Sequence, residues 1–349
     1  MTKPLSNASA AAIPAAGAGR ASEIVFDAVT KRYPRRAEPA VSSLSLTVPA
    51  GEICVLVGPS GAGKTTAMRM VNRLIDITEG DIRIDGTSVR SLDATRLRRR
   101  IGYVIQQVGL FPHMTVALNI GTVPRLLGWD RPHIRARAQE LVELVGLDPA
   151  QDLDRYPAEL SGGQRQRVGL ARAMAADPPL MLMDEPFGAL DPITRARLQD
   201  EFLRLHHAIR KTVIFVTHDI DEAIKMGDRI AILREGGVLA QYAAPDEVLT
   251  SPADDFVGRF VGTDRGLKRL SLMALADLEL EPAEADAPDR PSALLSTPLR
   301  DALAMMLSHG GRPLTVVGDD RRPVGVVSLE TMARALSSPV GAGRRAPAA

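Results

Sequence analysis

The sequence contains one cysteine, Cys54, one tryptophan, Trp129, and only 3% aromatic residues. A single cysteine excludes an internal disulfide and a cysteine-built zinc cluster. The six histidines, at 113, 133, 206, 207, 218 and 309, follow no metal-ligand spacing. Excess charge of either sign is also missing. Lys and Arg total 43 against 42 Asp and Glu, a net charge of +1, so bulk attraction to nucleic acid is not indicated. No apolar run reaches the roughly 18 residues of a membrane-spanning helix. Any role at a membrane must therefore pass through a partner.

What remains suits a globular protein. With 45% hydrophobic residues in 349, the chain can bury a core and is long enough for about two domains. Residues 1–22, rich in Ala, Ser, Pro and Gly, read as a loose tail and lack the compact apolar segment of a signal peptide. Order is expected from Glu23. EIVFDAV (23–29) has strand composition and SLSLTV (43–48) alternates cleanly. Further strands are expected at 53–57, 81–84, 101–105, 180–183 and 212–217, and helices at 64–74 and 134–146. In the second helix Ile134, Ala138, Leu141 and Val145 share one face. Strands alternating with helices, with polar residues at the strand ends, argue for an α/β domain.

The composition changes after Val261, and residues 263–293, acidic and Pro-rich at 277–291, read as a linker. A small α+β unit follows at 294–338. Thr297 is its expected helix cap with Pro298 as the first helical residue. Strands are expected at 313–317 and 324–329, and a closing helix at 331–336. Residues 339–349 read as a second loose tail.

Three motifs carry chemistry. The first is G-x-x-x-x-G-K-[ST], spelled by Gly58, Pro59, Ser60, Gly61, Ala62, Gly63, Lys64, Thr65 and followed by Thr66. A strand precedes it and a helix follows, the context the motif requires. Backbone amides of such a loop converge on one anion and the helix adds its positive end. Lys64 supplies a point charge for the outer phosphates of a nucleoside triphosphate, and Thr65 a hydroxyl for Mg²⁺. The second is LMLMDEP (180–186), where two carboxylates end an apolar strand. Asp184 suits a Mg²⁺ contact and Glu185 a general base on water; the alternative is that both cap the next helix. The third is LSGGQ (160–164), in which Ser161, Gly162, Gly163 and Gln164 make another anion-ready turn before a helix. One triphosphate hardly needs two glycine cradles from one subunit, so the second cradle is expected to serve the nucleotide of a neighbouring copy.

In order, the glycine loop, a glutamine, LSGGQ, DEP, GALD (188–191) and a histidine after a strand make the chain resemble the ATP-binding subunits of ABC transporters. The resemblance spans roughly 30–220. It implies a P-loop ATPase domain over 23–262 with an antiparallel β subdomain and a helical subdomain at about 107–176. It implies ATP and Mg²⁺ as cofactors, a head-to-tail pair of copies sandwiching the nucleotide, and docking onto a membrane permease served by a solute-binding protein. The location implied is the cytoplasmic face of the bacterial inner membrane. Laid on these residues, Tyr33 stacks on adenine, Gln106 contacts Mg²⁺ and the attacking water, Asp191 organises the contact between copies, and His218 touches the γ-phosphate. Gln107 remains an alternative to Gln106, and Tyr33 could equally be a packing residue.

The stretches 101–129 and 260–272 are similar to ATPases that power uptake of glycine betaine, carnitine, choline or proline, and 294–336 to a single CBS module. Such a module is either a sensor or a packing appendage. An importer ATPase for an amino acid or sulfonate is the main rival. Only residues 107–159 separate Gln106 from the LSGGQ motif, too few for the long coiled coil of a DNA-repair ATPase. No second cassette points to a translation factor. No aromatic cage for a quaternary amine is visible, as expected of a subunit that never touches the solute.

Overall fold

A computed structural model describes residues 20–34, 36–105, 109–188, 190–282 and 290–337. Residues 1–19 and 338–349, which hold most of the two expected tails, and Gln106 with its alternative Gln107 lie outside them. Chain packing starts before Glu23: Ser22 is buried and its carbonyl accepts a hydrogen bond from Thr212 Oγ1 at 2.6 Å.

The chain opens with β1 (Ile24–Lys31), β2 (Val41–Val48), β3 (Ile53–Val57) and α1 (Lys64–Val71). β4 (Glu79–Ile84), β5 (Thr87–Ser88), α2 (Ala94–Arg99) and β6 (Ile101–Val104) follow. α1 was expected to reach Leu74 but stops at Val71. Arg73 turns left-handed (φ 55°) and Leu74 N–H donates back to the Arg69 carbonyl at 3.0 Å, a closure that ends helices.

A run of helices comes next: α3 (Val116–Ile120), α4 (Thr122–Leu126), α5 (Arg131–Leu144), α6 (Pro149–Asp152) and α7 (Gly162–Met174). In α5 the expected face is the buried one at Ala138 and Leu141, with Ile134 half-buried. β7 (Leu180–Asp184), α8 (Pro192–Ile209), β8 (Thr212–Val216), α9 (Ile220–Met226), β9 (Arg229–Arg234) and β10 (Val238–Ala243) complete the large unit with α10 (Pro245–Thr250), α11 (Asp255–Val261) and α12 (Arg265–Arg269). No helix among the described residues is long and apolar enough to cross a membrane.

The sheets follow the apolar pattern. β2 alternates buried and exposed residues and lies in an antiparallel sheet of order β2-β1-β4-β5. β3, β7 and β8 are buried at every position and form the middle of a six-stranded sheet of order β10-β9-β3-β8-β7-β6, parallel except for β10. Alternate side chains of β3 feed two cores. Ile53, Val55 and Val57 pack with the helical region, whereas Cys54 and Leu56 pack with α1 and the antiparallel sheet.

The C-terminal unit contains β11 (Ser292–Leu294), α13 (Leu299–Ser308), β12 (Leu314–Val317), β13 (Pro323–Val327) and α14 (Leu329–Ser337), with sheet order β11-β12-β13. It has its own apolar core. Leu270, Met273 and Leu275, from the stretch read as a linker, belong to that core alongside Leu299, Met306 and Leu314. The expected cap Thr297 is displaced. Pro298 stays extended (ψ 143°), α13 starts one residue later, and Leu299 N–H donates to the Met273 carbonyl at 2.8 Å.

Arg269 joins the two units. Its guanidinium, 6% exposed, donates through Nε to Asp246 Oδ1 on α10 at 2.8 Å and through Nη1 to the Leu336 carbonyl on α14 at 2.6 Å. Replacing Arg269 by Ala leaves Asp246 without this partner. The expected loss is about 3 kcal/mol, the low end for breaking a buried pair because Asp246 keeps some contact with water. Differential scanning calorimetry is expected to show the C-terminal unit melting ahead of the rest.

Candidate functional site

The glycine loop leaves β3 at the carboxyl edge of the parallel sheet, where open α/β sheets place their ligands. Two of its glycines are sterically required. A Cβ on Gly58 (φ 154°) would lie 2.2 Å from the Leu233 carbonyl oxygen, and one on Gly63 (φ 81°) 2.2 Å from that of Ala40. Pro59, Ser60 and Gly61 crest the loop and Ala62 is buried beneath it. Lys64 Nζ folds back over the crest, donating to the Gly58 and Pro59 carbonyls at 2.7 and 2.9 Å. Burial pulls its pKa below the usual lysine range, and the charges of Glu185 and Asp184 oppose that shift.

Thr65 and Thr66 open α1. Thr65 Oγ1 donates to Asp184 Oδ1 at 2.9 Å, so the loop and the end of β7 are in direct contact. Asp184 is 3% exposed. Burial raises its pKa; the Thr65 hydrogen bond and the Arg69 guanidinium, 3.5 Å from Oδ2, pull it back. Arg69 escaped the sequence reading, although it lies one helical turn beyond Thr65 on α1.

Glu185 sits in a left-handed conformation (φ 47°) that costs a residue with a side chain about 1–2 kcal/mol. Its N–H donates to the Val216 carbonyl at 2.9 Å. The turn redirects the side chain so that Oε1 meets His218 Nδ1, beyond β8, at 3.0 Å. It is not spent on capping: Asp191 caps α8, accepting from Thr194 N–H at 3.0 Å. Those backbone hydrogen bonds hold the Asp191 carboxyl below the usual carboxylate range.

Tyr33 stands half-buried in the β1–β2 connection, with Lys31 Nζ 5.2 Å from its ring centroid. The same connection returns at Ala40, the neighbour of Gly63. Ser161 and Gln164 cap α7 reciprocally: Ser161 Oγ accepts from Gln164 N–H, and Gln164 Oε1 from Ser161 N–H. Ser161, Gly162, Gly163, Gln164 and Asp191 line a hollow to which no residue of 58–66 contributes. The structure thus brings Gly58–Thr66, Asp184, Glu185 and His218 together and sets the second glycine turn apart with Asp191. His206, one of the histidines without metal-ligand spacing, is buried, its Nε2 2.7 Å from the Lys211 carbonyl oxygen.

Known proteins resemble the chain over most of its length. The sequence profile described as ABC transporter matches residues 41–188. The osmoprotectant import ATP-binding protein OsmV of Salmonella typhimurium is 50% identical over 307 residues, covering 87% of this chain and 78% of that protein. The chain belongs to the ATP-binding subunits of ABC transporters. It is closely related to the osmoprotectant uptake ATPases. The choline transport ATP-binding protein OpuBA of Bacillus subtilis is 46% identical over 308 residues, covering 88% of this chain and 78% of that protein. The dimeric ABC transporter cassette MJ0796 superposes with a TM-score of 0.58 at 34% identity, covering 64% of this chain and 98% of that one. The family is ATP-hydrolysing and coupled to transport, its members bind ATP with Mg²⁺, and the dimeric cassette supports self-association of this one.

Gly63→Ala tests the loop directly. The new Cβ meets backbone, which cannot swing away, in a left-handed conformation costing about 1–3 kcal/mol. Thermal melting is expected to fall, and titration calorimetry to show nucleotide binding weakened at least about tenfold, the equivalent of 1.4 kcal/mol.

Proposed function

We propose that this chain hydrolyses ATP to power uptake of a quaternary-amine osmoprotectant, such as glycine betaine, carnitine, choline or proline, through a separate membrane permease. The observation that carries the hydrolytic part is the convergence of Thr65 with Asp184 and of Glu185 with His218 on one sheet edge. The solute class follows the relatives, whose similarity to this chain extends over more than 300 residues.

In this reading the amides of 58–63 and the Lys64 ammonium hold the triphosphate. Asp184 and Thr65 offer hard oxygen donors 2.9 Å apart, a donor set that fits Mg²⁺, which takes one or two protein oxygens and completes its shell from phosphate and water. Mg²⁺ bound there neutralises charge developing on the phosphates. Glu185 accepts a proton from the attacking water as its oxygen bonds to the γ-phosphorus and the bond to the ADP oxygen breaks. His218, hydrogen-bonded to Glu185, orients that carboxylate and contacts the γ-phosphate. Tyr33 stacks on adenine, a role supported by the approach of its connection to the glycine loop. Gln106 keeps the role its place in the motif order implies, contacting Mg²⁺ and water.

Ser161–Gly163 and Asp191 face a second copy. Their hollow shares no residue with the 58–66 loop, so a complete site takes its loop from one copy and its LSGGQ turn from another. The permease docks in a groove of about 350 Å³ between the sheet edge and the helical region, lined by Leu74, Arg98, Arg99, Phe111, Val123 and Arg172. Leu74 and Phe111 are 49% and 40% exposed there, which suits an amphipathic cytoplasmic segment. Docking places the chain on the cytoplasmic face of the inner membrane, where a solute-binding protein acts only indirectly. We read the C-terminal unit as a single CBS-like module, which its separate core and strand–helix–strand–strand–helix order support.

Glu185→Gln is expected to retain ATP and lower kcat by about 10²–10⁴, the span of a lost general base. ATP is expected to hold this variant as a dimer on a sizing column; an ATP-loaded monomer would count against the assignment. For the solute, vesicles carrying this chain, its permease and its binding protein are expected to take up radiolabelled glycine betaine, choline or carnitine on ATP addition. Uptake only of an amino acid or sulfonate would replace the solute and leave the ATPase assignment standing.

A further inference from the structure

Glu222, in the first turn of α9, has no part in the steps above, yet it is 9% exposed and carries a carboxylate. Its Oε1 accepts a hydrogen bond from Gln199 Nε2 at 3.0 Å, and Gln199, 6% exposed, belongs to α8. A threonine hydroxyl has one proton to give and two lone pairs to offer. Thr217 Oγ1 accepts the Asp219 N–H at 3.1 Å, and its own N–H donates to the Leu56 carbonyl at the end of β3. His218 lies between Thr217 and Asp219, so its turn is closed by the buried Thr217 hydroxyl and runs directly into Asp219, the cap of the helix that carries Glu222. Asp219 in turn caps α9 through the N–H groups of Asp221 and Glu222.

We propose that Glu222 is a positioning residue for ATP hydrolysis, clamping the turn that carries His218 to α8 and fixing the imidazole against Glu185. Two features make it more than a packing group. The network links two elements otherwise tied to different half-sites, because α8 starts at Asp191 in the LSGGQ hollow and His218 serves the phosphate edge. A buried carboxylate is also costly unless it is hydrogen-bonded, and here Gln199 on α8 supplies a donor. Displacing a reacting group by about 1 Å can cost about 10²-fold in rate, the scale of effect available to a residue that never touches ATP.

This inference rests on the hydrolytic reading of Glu185 and His218, and the test separates the two. The full-length chain carries Glu222→Ala, Glu222→Gln, Gln199→Ala or His218→Ala, and both kcat and the affinity for ATP are measured. Glu222→Ala is expected to lower kcat about 10–10²-fold while ATP affinity stays within about twofold, since only alignment is lost. Glu222→Gln, which keeps an oxygen for Gln199, is expected to recover most of the rate. Combining Gln199→Ala with Glu222→Ala is expected to add little, as for residues of one network. Unchanged kcat in Glu222→Ala, with His218→Ala inactive, overturns the proposal alone. Unchanged kcat in His218→Ala overturns it together with the hydrolytic reading. Equal losses of rate and affinity in Glu222→Ala, without rescue by Gln, also overturn it. If Glu222→Ala does not fold, Gln199→Ala decides: a selective loss of kcat supports the clamp and a normal kcat overturns it.

Discussion

The hydrogen bond from Thr65 to Asp184 ties the start of α1 to the end of β7, two strands away from the strand that launches the glycine loop. It requires β3, β8 and β7 to be parallel and in register, so that their carboxyl ends share one edge. That in turn requires side chains apolar on both faces, which β3, β7 and β8 have. The bond also sets the electrostatics. Asp184 is buried enough to be costly as an anion, and Thr65 and Arg69 offset part of that cost. A carboxylate held in this way is prepared for a cation yet already satisfied without one.

The same edge explains why Glu185 is strained. A strand alternates its side chains, so a residue directly after Asp184 in extended conformation would point away from the Asp184 side. The left-handed turn at Glu185 breaks the alternation and directs its carboxylate to His218. Local strain is a small fraction of total stability, and here it gives two neighbouring carboxylates different partners, Thr65 and His218. The separation of the LSGGQ hollow is a constraint of a different kind. Ser161 and Gln164 spend their side chains on capping α7, which fixes the turn before any nucleotide arrives. A rigid turn facing outward is suited to a ligand brought by another copy.

Much of this was legible in the sequence because it is written in local patterns. The glycine loop, the DE pair and the apolar runs around them need only spacing and periodicity, and the structure sets those residues together. Tertiary features were not legible. Arg69 is an ordinary helix residue until Asp184 comes within reach, and nothing local marks Glu222 and Gln199 as a buried pair before α8 and α9 pack. The stretch 263–293 read as a linker because its acidic, Pro-rich half dominates the composition. Leu270, Met273 and Leu275 reveal their role only through the core they enter, and the start of α13 is set by Met273 rather than by Thr297. Gly58 and Gly63 were legible as motif members, but the reason for them, the carbonyls of Leu233 and Ala40, lies far away in sequence.

The junction between the units follows the same logic of charges held in place by what packs around them. Lys268 is 9% exposed; its Nζ donates to the Val261 carbonyl at 2.8 Å and lies 3.3 Å from both Asp264 and Asp221. Asp221 belongs to the first turn of α9, one residue before Glu222. Arg269, the next residue, holds α10 and the end of α14. Two adjacent cations therefore bridge the helix beside His218 and the last helix of the C-terminal unit. Surface ion pairs are weak and screened by salt, but both of these cations are buried and also bonded to backbone carbonyls. A shift of α14 against α10 must break the Arg269 contacts or carry Arg269 along. Because Lys268 precedes it on the same short helix, the second course displaces the contact at Asp221. A chain of contacts thus runs from the C-terminal unit to the helix beside His218, through residues that sequence composition had assigned to a linker.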